Sequence, residues 1–322
     1  MKIGITGCTG NLGKRLVEIL IERDIDIVCL IRNTSKINNF NKDKIEFIYG
    51  DICNFGILIE FIKKIDVCIH LAALIRHATK KEYYNVNIKG TENLCKAIVQ
   101  YNPDCRFIYG STISTLKVNP FFKFLSSNYA ISKYYAEKEV LKYIKKKKLK
   151  ATIIYPGLIY SPYDNTVLPQ IINAIKKGNI KFIKGGESKA PFIYVDELCE
   201  LFIKSALNEI AIGKRYISVK GLELGIHDII KIIADKLGYE VSGKIYSKTF
   251  FLAIAIFMEL FFKIFIKNKK PFINRTVVDV LSINYKNYKK RFDDAKKDLN
   301  WDQDISKEYF LKKINYVLKY FI

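Results

Sequence analysis

The chain is short of acid. Against 54 lysines and arginines it has 32 aspartates and glutamates, a formal charge of +22 over 322 residues. It also lacks paired cysteines. Cys8, Cys29, Cys53, Cys68, Cys95, Cys105 and Cys199 show no metal-like spacing, and most sit inside apolar runs such as Val28-Cys29-Leu30 and Val67-Cys68-Ile69. They read as small core hydrophobes in a reducing compartment, which excludes a zinc module or a disulfide framework. No internal repeat and no long low-complexity linker breaks the chain. Lysine runs such as Lys145-Lys146-Lys147-Lys148 would suit nucleic acid or an anionic membrane. Lysine is spread along the whole chain, however, and no zinc finger or aromatic RNP-type strand accompanies it. The runs read as solvated faces, and no nucleic-acid partner is expected. No signal peptide precedes the first apolar run, so the expectation is a cytoplasmic protein.

What is present is a large core and an alternating pattern. Hydrophobic residues make up 49% of the chain, which excludes disorder and allows one large domain or two smaller ones. Short apolar runs at Lys2–Thr6, 27–31, Ile45–Tyr49, Val67–His70, 106–109 and Ala151–Tyr155 read as strands. Helical patterns fit 12–23, 84–101 and 128–148. Continuously apolar strands alternating with helices predict a doubly wound parallel sheet of the Rossmann type, in class α/β. After Pro156 the pattern loosens, with Pro162, Pro169, Gly178 and Gly185-Gly186 as punctuation. Helices fit 167–177, 196–207, 226–237, 249–266 and 307–320, with a short returning strand at Phe192–Tyr194. The expected organisation is a dinucleotide-binding domain at 1–160 with a return segment at 190–220. A smaller, mainly helical C-terminal substrate-binding cap covers 161–189 and 221–322.

Thr6-Gly7-Cys8-Thr9-Gly10-Asn11-Leu12-Gly13 joins the first strand to the first helix. Gly7 permits a tight turn, Gly10 lets the backbone approach a pyrophosphate, and Gly13 lets helix and strand pack closely. The helix N-terminus then faces the phosphates with unpaired N–H groups. The second strand ends Leu30-Ile31-Arg32-Asn33, with no acid to grip a ribose 2′-hydroxyl. Arg32 offers donors to a 2′-phosphate instead, which favours NADP(H), with NAD(H) as the alternative.

Tyr129-Ala-Ile-Ser-Lys133 places a phenol and an ammonium one helical turn apart on one face. Reducing a ketone leaves an alkoxide that must receive a proton. A free phenol titrates near 10, and a neighbouring cation brings it toward working range. Gly110-Ser111-Thr112, at the end of the fifth strand, supplies a hydroxyl donor to polarise the carbonyl.

In this order and at this distance, the two motifs resemble the extended short-chain dehydrogenase/reductase (NAD-dependent epimerase/dehydratase) superfamily. The resemblance covers nearly the whole chain. It implies Thr112 as polarising donor, Tyr129 as acid/base and Lys133 as its electrostatic partner and ribose ligand. It also implies that Gly7, Thr9, Gly10, Asn11, Leu12 and Gly13 line the cofactor site, with Asp51 on the adenine amino group and Ile52 beside it. His70-Leu71-Ala72-Ala73 resembles the family's His/Asn-x-Ala-Ala segment; there Leu71, Ala72 and Ala73 lie against the cofactor and His70 is structural. Asn87, in Asn85-Val86-Asn87-Ile88-Lys89-Gly90-Thr91, braces the active-site backbone. Pro156 and Ile159 belong to a segment resembling Arg-Pro-x-x-Val-Tyr-Gly-Pro, in which Tyr155 replaces the arginine and Ser161 the glycine. Pro191–Leu198 and Phe292–Trp301 resemble the family's strand-to-helix return and its closing signature.

Departures from the pattern point to a branch. Thr112 is followed by Ile113 and Ser114, so the Thr-Asp-Glu of sugar-nucleotide 4,6-dehydratases is missing. Ala190 and Pro191 stand where epimerases commonly carry an arginine for the diphosphate, with Lys189 as the nearest cation. The intensely apolar 249–266, interrupted by Glu259 and Lys263 and followed by Lys267, Lys269, Lys270 and Arg275, resembles the 3β-hydroxysteroid dehydrogenase and dihydroflavonol-4-reductase-like branch. Segment 249–266 has three readings: the wall of an apolar substrate pocket, a peripheral membrane contact through 249–275, or a span that its two charges disfavour. The expected activity is an alcohol/ketone oxidoreductase on a steroid-like, dihydroflavonol-like or β-keto acyl substrate. A sugar-nucleotide epimerase is the alternative, and a cofactor-binding regulatory protein without turnover the third reading. Similar enzymes often pair two helices across a homodimer, here 84–101 and 128–148.

Overall fold

The computed structural model describes residues 1–33, 44–75, 78–122, 126–178, 180, 182–184, 189–241, 245–265 and 292–321. Its strands are β1 (Lys2–Thr6), β2 (Asp26–Ile31), β3 (Ile45–Tyr49), β4 (Val67–His70), β5 (Arg106–Gly110) and β6 (Ala151–Tyr155). They are followed by β7 (Leu158–Tyr160), β8 (Phe182–Ile183), β9 (Phe192–Tyr194), β10 (Arg215–Ile217) and β11 (Ile245–Tyr246). Seven of these form one parallel sheet in the order β10-β6-β5-β4-β1-β2-β3. The strands are rich in isoleucine, valine and phenylalanine and buried along most of their length, as a sheet covered on both faces requires.

Strand order reverses between β1 and β4, since β2 and β3 extend the sheet one way and β5, β6 and β10 the other. The carboxyl ends of β1 and β4 therefore border the crevice where an open α/β sheet binds its ligand. The sequence motifs lie at those ends: Gly7 follows β1, Leu71 follows β4 and Ser111 follows β5.

The helices are α1 (Asn11–Glu22), α2 (Phe55–Lys63), α3 (Lys80–Tyr83), α4 (Gly90–Tyr101), α5 (Asn128–Lys147), α6 (Leu168–Lys176), α7 (Val195–Leu207), α8 (Ile226–Lys236) and α9 (Lys248–Phe265), with Ala295–Leu299 and Lys307–Leu318 near the end. Helix α1 buries Leu12, Leu16, Val17, Ile19 and Leu20 on one stripe. Two expectations change. The helix read as 84–101 starts four residues earlier, where the Thr79 hydroxyl accepts from the Glu82 N–H at 3.2 Å, and it passes through a π-helical turn at Tyr84–Lys89 before α4. Helix α2 was not expected; it is short, with Gly56, Glu60 and Lys63 exposed opposite buried Leu58, Phe61 and Ile62. The Asn54 side chain starts it by accepting from the Gly56 and Ile57 N–H groups.

One hydrophobic core runs from β1 to the terminal helix. The C-terminal segment is tied into it by Trp301 Nε1, which donates to Glu197 O at 2.9 Å, and by Gln303 Nε2, which donates to Phe192 O at 2.7 Å. Helix α9 stands apart: Phe251 and Ala255 pack with Tyr246 and Leu252 in a separate small cluster. The basic residues Lys267, Lys269, Lys270 and Arg275 lie outside the described residues, as do Gly185 and Gly186.

Candidate active site

The turn after β1 is built by two glycines with no room for a side chain. Gly7 has φ +78°, and a Cβ there would stand 2.6 Å from Ala72 N. A Cβ on Gly13 would stand 2.2 Å from Gly7 O. The β1 turn, the loop after β4 and the start of α1 thus touch backbone to backbone. Gly10 differs. It is exposed, its backbone is extended (φ −78°, ψ 171°), and a Cβ would meet only Gly7 O at 3.3 Å. It occupies the N-cap of α1 without a side-chain cap, so the first-turn N–H groups face outward, which suits a phosphate. A pyrophosphate fits here: the cradle is open at Gly10 and closed at Gly7 and Gly13. The Asn11 side chain accepts a hydrogen bond from Ser161 Oγ, the residue that departs from the family's glycine.

At the end of β4, His70 is fully enclosed in a directed chain of hydrogen bonds. The Thr91 hydroxyl donates to Asn87 O at 2.7 Å, so it accepts from His70 Nε2 at 3.0 Å. Nδ1 is then the acceptor for the Thr6 hydroxyl at 2.6 Å, and Thr6 Oγ1 in turn accepts from Ala72 N at 3.3 Å. This fixes the neutral Nε2–H tautomer. Burial pulls the imidazole down to about 3, with the Lys133 charge acting the same way. A ring this hard to protonate, with both nitrogens engaged, does structural work.

Asn87 lies on the π turn and bridges two parts of the site. Its Oδ1 accepts from Leu74 N at 2.7 Å, and its Nδ2 donates to Leu74 O at 3.1 Å and to Ser132 Oγ at 2.9 Å. Ser132 Oγ donates to Tyr129 O at 2.8 Å. The loop after β4 is thereby tied to the helix that carries Tyr129. The extra residue of a π turn redirects side chains locally, as functional sites often require.

Helix α5 presents Tyr129, Lys133 and Glu137 along one side, at i, i+4 and i+8. Its N-terminus is capped by Ser127, whose side chain accepts from Ala130 N. Desolvation pushes the Tyr129 phenol above the usual phenol range, and the neighbouring Thr112 hydroxyl acts in the opposite direction. Lys133 is 3% exposed. Its Nζ donates to Gly110 O at 2.6 Å and lies 4.3 Å from the centre of the Tyr109 ring. Burial lowers the ammonium to about 7, while the Glu137 carboxylate acts to raise it. In the protein itself, then, the lysine rests on the end of β5 rather than on the phenol.

Glu137 escaped sequence reasoning. It accepts from Ser111 Oγ at 2.8 Å and from Tyr155 OH at 2.6 Å, and Thr115 Oγ1 lies 3.3 Å away. Thr115 has one hydroxyl proton, and the closer acceptor is Thr112 O at 2.9 Å. The carboxylate therefore clamps the end of β5 to β6 from the same helix that carries Tyr129 and Lys133. The signal was its i+4 spacing from Lys133, combined with a tyrosine in the place of the family's arginine. Arg215, on β10, is near enough to Tyr155 to act against the upward shift that burial and Glu137 impose on it.

Leu71 N donates to Thr6 O at 3.0 Å, and Leu71, Ala72 and Ala73 are half-buried beside the glycine turn. Thr9 is half-buried in the turn and Leu12 is buried under it. Pro156 O accepts from Ile113 N at 3.0 Å, joining the β6 loop to the Thr112 turn, and Ile159 sits half-buried on β7. Asp51 folds onto its own turn, Oδ1 accepting from Cys53 N at 2.8 Å, while Ile52 is buried against Gly90. Arg32 is exposed at the end of β2. Glycine turn, β4 loop, β5 end and α5 thus meet at one edge of the sheet. That edge carries the Tyr129 phenol, the Thr112 hydroxyl and the buried Lys133 amine.

Residues 3–217 match the model of the NAD dependent epimerase/dehydratase family. The 4-hydroxy-2-methyl-3-oxo-4-farnesyl-3,4-dihydroquinoline-1-oxide ketoreductase of Stigmatella aurantiaca is 24% identical over 249 residues, 74% of this chain and 74% of that enzyme. The decarboxylating sterol-4-alpha-carboxylate 3-dehydrogenase of Mus musculus is 27% identical over 219 residues, 64% of this chain; the match spans 59% of the mouse enzyme, less than two thirds of its length. Among solved structures, the dTDP-glucose 4,6-dehydratase DesIV from Streptomyces venezuelae, with NAD bound, superimposes with a TM-score of 0.70 at 17% identity, covering 100% of this chain and 97% of that one. That last likeness is one of fold.

Proposed function

Because the chain belongs to the NAD dependent epimerase/dehydratase family, we propose that it is a nicotinamide-dependent oxidoreductase that interconverts an alcohol and a ketone on an apolar substrate. The observation that carries this reading is the Tyr129 phenol beside Thr112, on the helix whose buried Lys133 reaches the end of β5 at Gly110 O. The nicotinamide cofactor, when bound, supplies or accepts the hydride. Thr112 donates to the substrate carbonyl oxygen, and Tyr129 gives that oxygen its proton in reduction and takes it back in oxidation. Lys133, one helical turn from Tyr129 and held on Gly110 O, is the cation that in this reading turns to the phenol and the cofactor when they are engaged. First-turn N–H groups of α1 and the backbone at Gly10 would hold the pyrophosphate. Arg32, at the end of β2 with no acid beside it in the sequence, favours NADP(H).

An apolar substrate is supported by the ketoreductase and sterol dehydrogenase relatives, whose names describe prenylated and sterol compounds, and by the absence of an acid pair after Thr112. A sugar-nucleotide epimerase that recycles its hydride internally is the second reading, favoured by the family and by the fold shared with a dTDP-glucose enzyme. The test is nicotinamide absorbance during turnover with hydroxysteroids, β-keto compounds and UDP-sugars. Net oxidation or reduction of cofactor with an apolar compound is expected. Sugar conversion without net change would transfer the assignment to the epimerase. Tyr129→Phe should abolish turnover and leave cofactor affinity within about twofold, since a phenol's proton is lost and little else.

A further inference from the structure

Helix α9 turns an apolar face to water. At 3.6 residues per turn, Phe250, Ala253, Phe257, Leu260, Phe261 and Phe265 share one sector of roughly 140°, and all six are exposed. Phe257 is 66% and Phe265 70% exposed. The rings continue one another: Phe257 and Phe261 stack with centroids 6.3 Å apart, and Phe261 and Phe265 lie at 4.9 Å. Glu259 falls on the opposite side of the wheel. The inward face is spent on the small cluster around Phe251 and Ala255, separate from the main core. The aromatic ridge is therefore not required by packing, and it is too long and continuous to pass for scattered surface hydrophobics.

We infer that this face seats α9 in the surface of an anionic phospholipid bilayer, with the helix lying in the plane of the interface. The sector from Phe250 to Phe265 spans about 22 Å at 1.5 Å per residue, all of it apolar. A chain of formal charge +22 is drawn to acidic headgroups and repelled by a second copy of itself, so charge favours lipid over self-association. Among the described residues no helix is long and apolar enough to cross a membrane, which fits a helix lying on the bilayer. Phenylalanine suits that depth, because its ring packs among acyl chains without burying a polar atom. Such seating does not depend on the reaction catalysed.

The experiment is flotation of the full chain with phosphatidylcholine vesicles, with and without phosphatidylglycerol, beside the triple variant Phe257→Ser, Phe261→Ser, Phe265→Ser. The native chain should float with the anionic vesicles and lose binding as salt rises. Burying one phenylalanine side chain is worth roughly tenfold in partition, so the triple variant should bind at least roughly a hundredfold more weakly after allowing for partial burial. The substituted rings are exposed, so the variant should keep the native circular dichroism and cofactor binding. Native chain that stays with the unbound fraction at low salt would overturn the inference, and so would a variant that floats as well as the native chain. A native oligomer that the variant reduces to monomer in gel filtration would assign the face to a second copy, and would overturn it too.

Discussion

Gly10 and Gly13, three residues apart in one turn, should respond in opposite ways to the same added methyl group. In Gly13→Ala the new Cβ would lie 2.2 Å from Gly7 O and 2.7 Å from Cys8 Cα. Both are backbone atoms, fixed by β1 and by the Gly10 N–H to Gly7 O bond of 3.0 Å, so relief requires α1 to move by about an ångström against a packed sheet. Overpacking of that kind costs about 3 kcal/mol or more, which lowers the melting temperature by about 4 °C or more in a chain of this size. In Gly10→Ala the Cβ meets only one oxygen at 3.3 Å, and the backbone is already in a region that alanine adopts freely. A small loss at the N-cap is offset by the lower entropy of the unfolded chain, and stability should stay within about 1 kcal/mol of native. The methyl group then projects over the α1 N-terminus, where phosphates would approach, and cofactor affinity should fall by at least roughly tenfold. Urea unfolding and nicotinamide fluorescence titration of both variants check the pair. Equal destabilisation, or a Gly10→Ala variant with native affinity, would refute the assignment of one glycine to packing and the other to ligand approach.

His70 gives a pH dependence of definite sign. Its pKa is lowered to about 3, so its stabilising effect is complete above the unfolded value near 6.5. As pH falls below that, the unfolded chain takes up the proton first, and up to about 4 kcal/mol of stability is lost by pH 3. Urea midpoints across this range should show a shallower slope in His70→Asn; an unchanged slope would place the acid sensitivity elsewhere. Glu137→Gln removes the carboxylate that helps keep Lys133 charged and weakens the clamp on Ser111 and Tyr155. Charged Lys133 is lost as pH rises through about 7, so in the variant the alkaline fall in kcat should move down by roughly one pH unit. A lower kcat with an unmoved profile would limit Glu137 to holding the strand end. Arg32→Ala should shift preference from NADPH toward NADH by at least roughly tenfold, read from the ratio of kcat/KM values; equal ratios in native and variant would remove Arg32 from cofactor choice.

Much of this protein was legible in one dimension. The six strands from β1 to β6 and most helices follow from apolar runs and 3.6-residue periodicity, because a sheet buried on both faces leaves little ambiguity. The glycine turn and the Tyr129–Lys133 pair were legible because each depends on short spacing within one element or one junction. Short elements were missed: α2 is only nine residues long, and β10 is only three, recruited to the sheet by pairing with β6. The π turn at Tyr84–Lys89 was hidden because its sequence is ordinary and its geometry answers to Asn87, whose partners Leu74 and Ser132 are remote in the chain.

What only the tertiary structure decided is who meets whom. Sequence placed Lys133 one turn from Tyr129, but burial against the end of β5 sends its ammonium to Gly110 O and pulls its pKa down. Glu137 became part of the site through Ser111, Tyr155 and Thr115, each more than fifteen residues away. His70 acquired a single tautomer from Thr6 and Thr91, on two other elements. Helix α9 was legible as an apolar segment; that Phe250, Phe257, Phe261 and Phe265 face outward could be seen only once the core had closed without them. Local spacing fixes which groups share a turn or a helix face. Dielectric environment and hydrogen-bond partner come from segments that only folding brings together, and those two quantities set the chemistry of each group.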